Sequence, residues 1–454
     1  LASQFALPPR RMNQRRVVIV AGVVLLLLAV LAAFRLGVPS PLAPADPVEA
    51  QARRFVELAL AFGQTDEKEV DAYFGPDSLR PKADAKVPSL DDLQRDLTTL
   101  AVDIAADPGP VTPRRTRLAS RVAHLQALIG TIQKPRSLSF DEEARRVYGI
   151  DPAPVDAAAM ARAVAELGRL LPGRGPLAAR VDAFRARYVI PEDKREALFD
   201  RALGECRRRT RAHWPLPSTE RVDVEWTTSV DAAWHRYRGN YHSQLQINPQ
   251  AVAFLGSAID VACHEAYPGH HAQFVMQTLA ARPNGLPIEE RVVLLRSPDS
   301  MFREGAANYG VDLAFPPADR LAFERDVLFP LAGFPATDAA RFEKVRALID
   351  VLAPATAPIL RDYRDGRITA DAAAAALQRD ALVSSPQALL GFVDQLGAYA
   401  LGYTVARDWV ADRVAAAAGK DGDRWAVLKT YVAAPGMPSS PPPSTPTPST
   451  KDKP

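Results

Sequence analysis

Pro268 stands four residues after His264, inside the stretch DVACHEAYPGHHAQF that runs from Asp260 to Phe274. The stretch opens as a helix carrying His264 and Glu265 and cannot continue as one. A proline has no amide hydrogen to donate, and its ring collides with the carbonyl four residues back, here that of His264. The helix must kink or break, and Gly269 supplies a residue free to take an unusual backbone turn. No other feature restricts the fold so tightly, because His264, Glu265, His270 and His271 all flank the break.

Those four side chains pose a specific question of chemistry. In an H-E-x-x-H helix two histidines four residues apart lie on one face and hold a zinc ion, and the Glu beside the first reaches a water on the metal. Here Pro268 takes the second histidine's position. A widened or interrupted turn brings His270 to the place that a regular helix gives to the fourth residue. His271 is the competitor, since seven residues after His264 it shares that residue's face on an unbroken helix. A third reading has the histidine pair capping a helix that begins at Pro268 and binding nothing. Three of the 7 histidines and a glutamate in one short stretch weigh against that reading. A third ligand is expected from a later helix, and SPDSMFREGAANYGVD offers Glu304, whose neighbours Gly305, Ala306 and Ala307 favour close helix packing. Asn308, one turn on, is placed to orient a ligand histidine.

The chain is long enough for a substantial core: 454 residues, 47% hydrophobic and 24% charged. A formal net charge of +3 with arginines scattered among acids gives no basic stripe, and nucleic acid is not expected as a partner. Arg10, Arg11, Arg15 and Arg16 precede the apolar run Val17 to Phe34, which reaches the lower limit for a bilayer-spanning helix. With the cations on its N-terminal side, the run reads as a single-pass anchor in a bacterial-type inner membrane, the body facing the periplasm or cell exterior. A cleaved signal peptide ending near Ala32 and Ala33, which would leave the body secreted, is the rival reading. Cys206 and Cys263 read as two small buried hydrophobes, and Cys263 projects about 100° away from His264 on a helix.

Composition divides the chain into five parts. Residues 1–37 are the basic segment with its anchor or signal, and 38–47 (VPSPLAPADP) form a Pro-rich spacer. Residues 48–209 carry amphipathic helical patterns separated by breaks such as DPGPVTP and LLPGRGP. In 210–435 the pattern changes: RVDVEW alternates, and WHRYRGNYHSQLQIN reads as two strands around a Gly239-Asn240 turn before helical patterns return. Residues 436–454 are a Pro/Ser/Thr tail of low complexity, expected to be disordered. The fold class expected is mainly α with a small β-sheet.

The motifs resemble those of the domain-of-unknown-function 885 proteins, which look like gluzincin-type zinc metallopeptidases of the peptidase MA clan. The resemblance covers about residues 210 to 435. It rests on H-E-A-x-P-G-H-H at His264 to His271, on EGAANYG at Glu304 to Gly310, where Ala306 replaces a tryptophan, and on VDQLGAYALG, which keeps Gln395, Tyr399 and Gly402. It implies a thermolysin-like zinc core embedded in a helical body: His264, His270 and Glu304 as Zn2+ ligands with His271 as second choice, Glu265 as the base, and Tyr399 as an oxyanion donor. Gln395 and Arg346 are expected at the substrate. The segment RALIDVLAP keeps Arg346 and Asp350 but has Leu352 and Pro354 where the pattern carries Gly and His, and Val311 stands where an acid is usual, with Asp312 next. YHSQLQIN fits an edge strand that pairs with an extended peptide, so His242 and Gln244 are expected along the cleft; the other reading makes it one strand of a structural hairpin.

The function expected from these readings is a membrane-tethered, exported zinc-dependent metallopeptidase acting on a peptide or small amide through a zinc-activated water. A non-catalytic binding protein on a degenerate metallopeptidase scaffold and a non-peptidic amide or ester hydrolase are the alternatives.

Overall fold

The computed structural model describes residues 47–152, 155–230, 232–280, 285–403 and 405–433. The expected anchor at Val17 to Phe34 and the tail at 436–454 lie outside the described residues. Among those described, no helix is long and apolar enough to cross a membrane.

The N-terminal half is built from helices whose apolar residues recur at helical spacing. These are α1 (Pro47–Phe62), α2 (Leu90–Ala106), α3 (Pro113–Gln133), α4 (Phe140–Tyr148), α5 (Ala157–Leu170), α6 (Leu177–Arg185) and α7 (Arg195–His213). In α2 the residues Leu93, Leu97, Leu100 and Ile104 form one buried stripe, each worth about 1.5–3 kcal/mol when fully buried. Local signals fix the helix starts. Ser89 with Asp92 and Ser139 with Glu142 form reciprocal capping boxes, and α3 begins behind a Thr112 cap with Pro113 in its first turn. The expected domain boundary at 209/210 falls inside α7.

Among the described residues five short strands interrupt the helices: β1 (Val70–Tyr73), β2 (Arg221–Trp226), β3 (Ala233–Gly239), β4 (His242–Ile247) and β5 (Val292–Leu294). β1 and β5 form a two-stranded antiparallel pair. The other three have the order β2-β4-β3, with β4 antiparallel to β3 and parallel to β2. The hairpin turns on Asn240 and Tyr241, both with positive φ, one residue later than expected. YHSQLQIN is therefore the central strand and not an edge, a correction that the parallel partner β2 imposes.

The remaining helices are α8 (Ser257–Glu265), α9 (His270–Ala280), α10 (Pro298–Ala314), α11 (Pro317–Phe323), α12 (Phe329–Ala332), α13 (Ala339–Asp350), α14 (Thr356–Arg364), α15 (Ala370–Asp380), α16 (Pro386–Leu396), α17 (Val405–Ala418) and α18 (Arg424–Ala433). One large hydrophobic core joins α5 to α8 with α10, α13, α17 and α18. The architecture is thus mainly helical with two small sheets.

Cys206 of α7 and Cys263 of α8 are joined by a disulfide, their Cα atoms 5.4 Å apart. Both are buried, as expected, but the reading of them as two separate small hydrophobes is corrected: α7 and α8 pack side by side and the bond joins residues 57 apart, which neither segment announces.

Candidate metal centre

The break expected at Pro268 is present and does specific work. α8 ends at Glu265, Ala266 leaves helical geometry at φ −118 and ψ −68, and Tyr267-Pro268 is a cis peptide. Hydrogen bonds then span six residues instead of four: the Gly269 amide donates to the Cys263 carbonyl and the Ala272 amide to that of Ala266, each at 3.0 Å. The two extra residues are absorbed in this crossing, and α9 starts at His270. Consequently the Nε2 atoms of His264 and His270 stand 3.2 Å apart.

Glu304 comes from the middle of α10. Its neighbour Gly305 lets α10 approach α17 so closely that a Cβ there would lie 2.3 Å from the Ala406 carbonyl oxygen. The Glu304 carboxylate reaches His264 Nε2 at 3.3 Å through Oε2 and His270 Nε2 at 3.5 Å through Oε1. One donor atom from each of the three residues lies within 4.8 Å of the others.

Two features test whether this set fits a cation. For a tetrahedral ion with bonds of about 2.0–2.1 Å, donor atoms stand about 3.3–3.4 Å apart, which matches the separations found. Glu304 Oε2 is buried with no hydrogen-bond partner among the described residues, a costly arrangement unless a cation completes it. His2Glu is also a donor set suited to zinc. Asn308 Oδ1 lies 3.0 Å from His264 Nδ1, and its amide nitrogen donates to the Gly402 carbonyl. The amide oxygen therefore accepts a hydrogen bond from Nδ1–H, so Nε2 is the atom that faces the other two groups. Burial works against a charged His264, yet the Glu304 carboxylate beside Nε2, then the charge of Glu265, raise its pKa to about 9. Burial likewise opposes a charged Glu304, but His270 and His264 hold it well below the usual carboxylate range.

His271 points elsewhere. It is fully buried, with Nδ1 2.8 Å from Ser243 Oγ and Nε2 3.0 Å from Glu220 Oε2. Glu220 also accepts from Tyr267 at 2.6 Å and from Arg207 and Arg211 at 2.8 Å. The second-choice ligand is thus a structural residue that ties α9 to β4 and to the end of α7.

A cavity of about 540 Å³ opens beside the three groups. Glu265 lines it, its pKa raised chiefly by burial. So do His235 and Trp234 of β3, Phe274 of α9, Arg303 of α10 and Tyr403. Several expected wall residues lie away from it. His242 pairs with Asp223 at 2.6 Å and Gln244 donates to Glu225 at 2.9 Å, both at the solvent side of the central strand. The cleft is bordered by the β3 edge instead. Gln395 is exposed and Arg346 is engaged with Glu343 and Asp350; neither borders the cavity.

Tyr399 lies at the site as expected, lining the cavity with its hydroxyl on the Glu304 carboxylate. Its hydroxyl donates to Glu304 Oε1 at 2.9 Å and lies 3.1 Å from Ser300 Oγ, and only 3% of the residue is exposed. The phenol therefore holds the carboxylate. Tyr403, one turn on in the 3-10 segment Gly397–Tyr403, is 48% exposed, and its ring centre lies 6.3 Å from that of His264. The four-residue spacing of the two tyrosines was the only sequence signal for it. Asp71, nearly two hundred residues before His264, also lines the cavity and had no signal at all.

No protein-family model and no curated protein matches the chain. Among solved structures it is similar to one described as "the putative lipoprotein from Colwellia psychrerythraea", at 15% identity and a TM-score of 0.49, over 77% of this chain and 68% of that one.

Proposed function

We propose that the chain is an exported zinc-dependent hydrolase of peptide (amide) bonds, tethered to a membrane by its N-terminal segment and related to the domain-of-unknown-function 885 proteins. The observation that carries this reading is the convergence of His264 Nε2, His270 Nε2 and the buried Glu304 carboxylate beside a cavity that also holds Glu265. Zinc held there supplies Lewis-acid chemistry, polarising a scissile carbonyl and making water nucleophilic near neutral pH.

The chain's own residues do the rest. Glu265 accepts the proton of the attacking water and passes it to the leaving amine. Tyr403, the more exposed of the two phenols lining the cavity, donates to the developing oxyanion. Tyr399 and Asn308 hold Glu304 and His264 in place. Phe274, Val293, Leu295, Phe392 and Leu396 form apolar walls that receive substrate side chains and exclude bulk water. The Cys206–Cys263 disulfide supports export, because such bonds persist in oxidising compartments.

Metal analysis and hydrolysis test the reading together. About one zinc per chain is expected, lost in His264→Ala. Glu265→Gln is expected to keep the zinc and lose at least about a hundredfold in peptide hydrolysis. A wild-type protein that binds no zinc, or a Glu265→Gln variant that hydrolyses as fast as wild type, overturns it.

A further inference from the structure

Asp71 is the extra residue of a β-bulge. β1 sets Val70 against Leu294 and Ala72 against Val293, leaving Asp71 between them without a partner on β5. Bulges re-aim side chains and are frequent beside functional sites. Here the residue borders the cavity, and the charged groups that act on it most strongly are His270 and then Glu304, with Glu265 after them.

The other acids of the cavity are accounted for. Glu304 faces the two histidines, Glu265 stands beside them as base, and Asp260 accepts from Arg320 at 2.6 Å. Asp71 makes no ion pair with an arginine or lysine among the described residues; the Trp234 side chain donates a hydrogen bond to it, and Arg303 and Arg236 act on it only through space. Arg303, the cation on the same cavity, is engaged elsewhere: it donates to Gln277 at 2.6 Å and lies 4.2 Å over the Phe274 ring. Burial, the largest influence on Asp71, pushes its carboxyl up to about 6 against the pull of His270 and the Trp234 hydrogen bond, so it is ionised at neutral pH with no ion-pair partner of its own. A carboxylate in that condition is complementary to a cation that arrives with the ligand.

We infer that Asp71 anchors a primary ammonium group of the substrate, which makes the preferred substrates short peptides with a free amino terminus near the scissile bond. This rests on the hydrolase reading above. The cavity volume lies within the range of small-ligand sites and suits a few residues of peptide, not a folded protein.

The test separates binding from turnover. Trialanine amide and its N-acetyl form are titrated calorimetrically into zinc-supplemented Glu265→Gln protein, with and without Asp71→Asn, an isosteric change. The free-amine peptide is expected to bind at least about tenfold more tightly, and Asp71→Asn to abolish that difference while changing affinity for the acetylated peptide less than about twofold. Equal affinity for the two peptides in the Asp71 protein, or a difference that survives in Asp71→Asn, overturns the inference. If the affinity difference appears but wild-type protein with zinc cleaves neither peptide, the anchor stands and the hydrolase reading fails.

Discussion

A Cβ placed on Gly269 would stand 1.6 Å from the carbonyl oxygen of His264. The backbone of the first histidine and the residue just before the second are in contact, and only a glycine permits it. Gly269→Ala should force the crossing between α8 and α9 open, at a cost of about 1–3 kcal/mol or more. It should also separate the two Nε2 atoms. Thermal unfolding and zinc content measure the two effects; unchanged values for both would refute the part assigned to the crossing.

Asn308 and Tyr399 hold ligands without being ligands. Asn308→Ala should weaken zinc binding about 10–100-fold, as is usual when a partner that orients a ligand is removed. Tyr399→Phe should weaken it too, by freeing Glu304, whereas Tyr403→Phe should leave zinc affinity unchanged and lower the turnover number. Competition with a chromophoric chelator, alongside peptide hydrolysis, separates these cases. Equal effects of the two tyrosine changes on zinc affinity would contradict the division of roles.

The disulfide closes a loop with a sequence separation of 57. Loop-closure entropy then gives about 4 kcal/mol of stabilisation as an upper figure. The double variant Cys206→Ser/Cys263→Ser should show a lower midpoint in denaturant than the oxidised protein, and a reducing agent should destabilise wild type but not the variant. An equal response of both proteins to reductant would exclude the bond from the folded state in solution.

Glu220 gives stability a dependence on acid. Burial opposes its charge, but hydrogen bonds from His271, Tyr267, Arg207 and Arg211 more than offset this and hold its pKa down to about 2, from an ordinary 4.5. A carboxyl depressed in the fold contributes stability that is fully present above its unfolded value and is lost as pH falls towards its folded one. Stability should therefore drop between about pH 4.5 and pH 2, and Glu220→Gln should flatten that part of the profile while lowering stability at pH 7. Urea denaturation across that range is the measurement; an unaltered slope in the variant would remove Glu220 from the account.

The sequence was most legible where the physics is local. Proline sterics placed the break after His264, helical spacing announced the buried stripe of α2, and small residues beside Glu304 signalled the tight approach of α10 to α17. It was least legible where one segment's role depends on another far away. His242 and Gln244 were expected at an edge, but β2 closes that side of β4, and the strand order turns their side chains from the cleft. Tyr399 and Tyr403 are four residues apart, and only packing decides that the first is buried against Glu304 and the second is half exposed.

The chain alone determined a mostly helical body, small strands after residue 220, and a kinked pair of helices presenting adjacent histidines, because each follows from backbone sterics or periodicity within a few turns. Tertiary structure alone decided that His270 and not His271 faces His264, that the cysteines pair, and that a bulged aspartate from β1 joins the cavity. Those outcomes depend on which surfaces pack together across dozens to hundreds of residues, and no short-range preference encodes that choice.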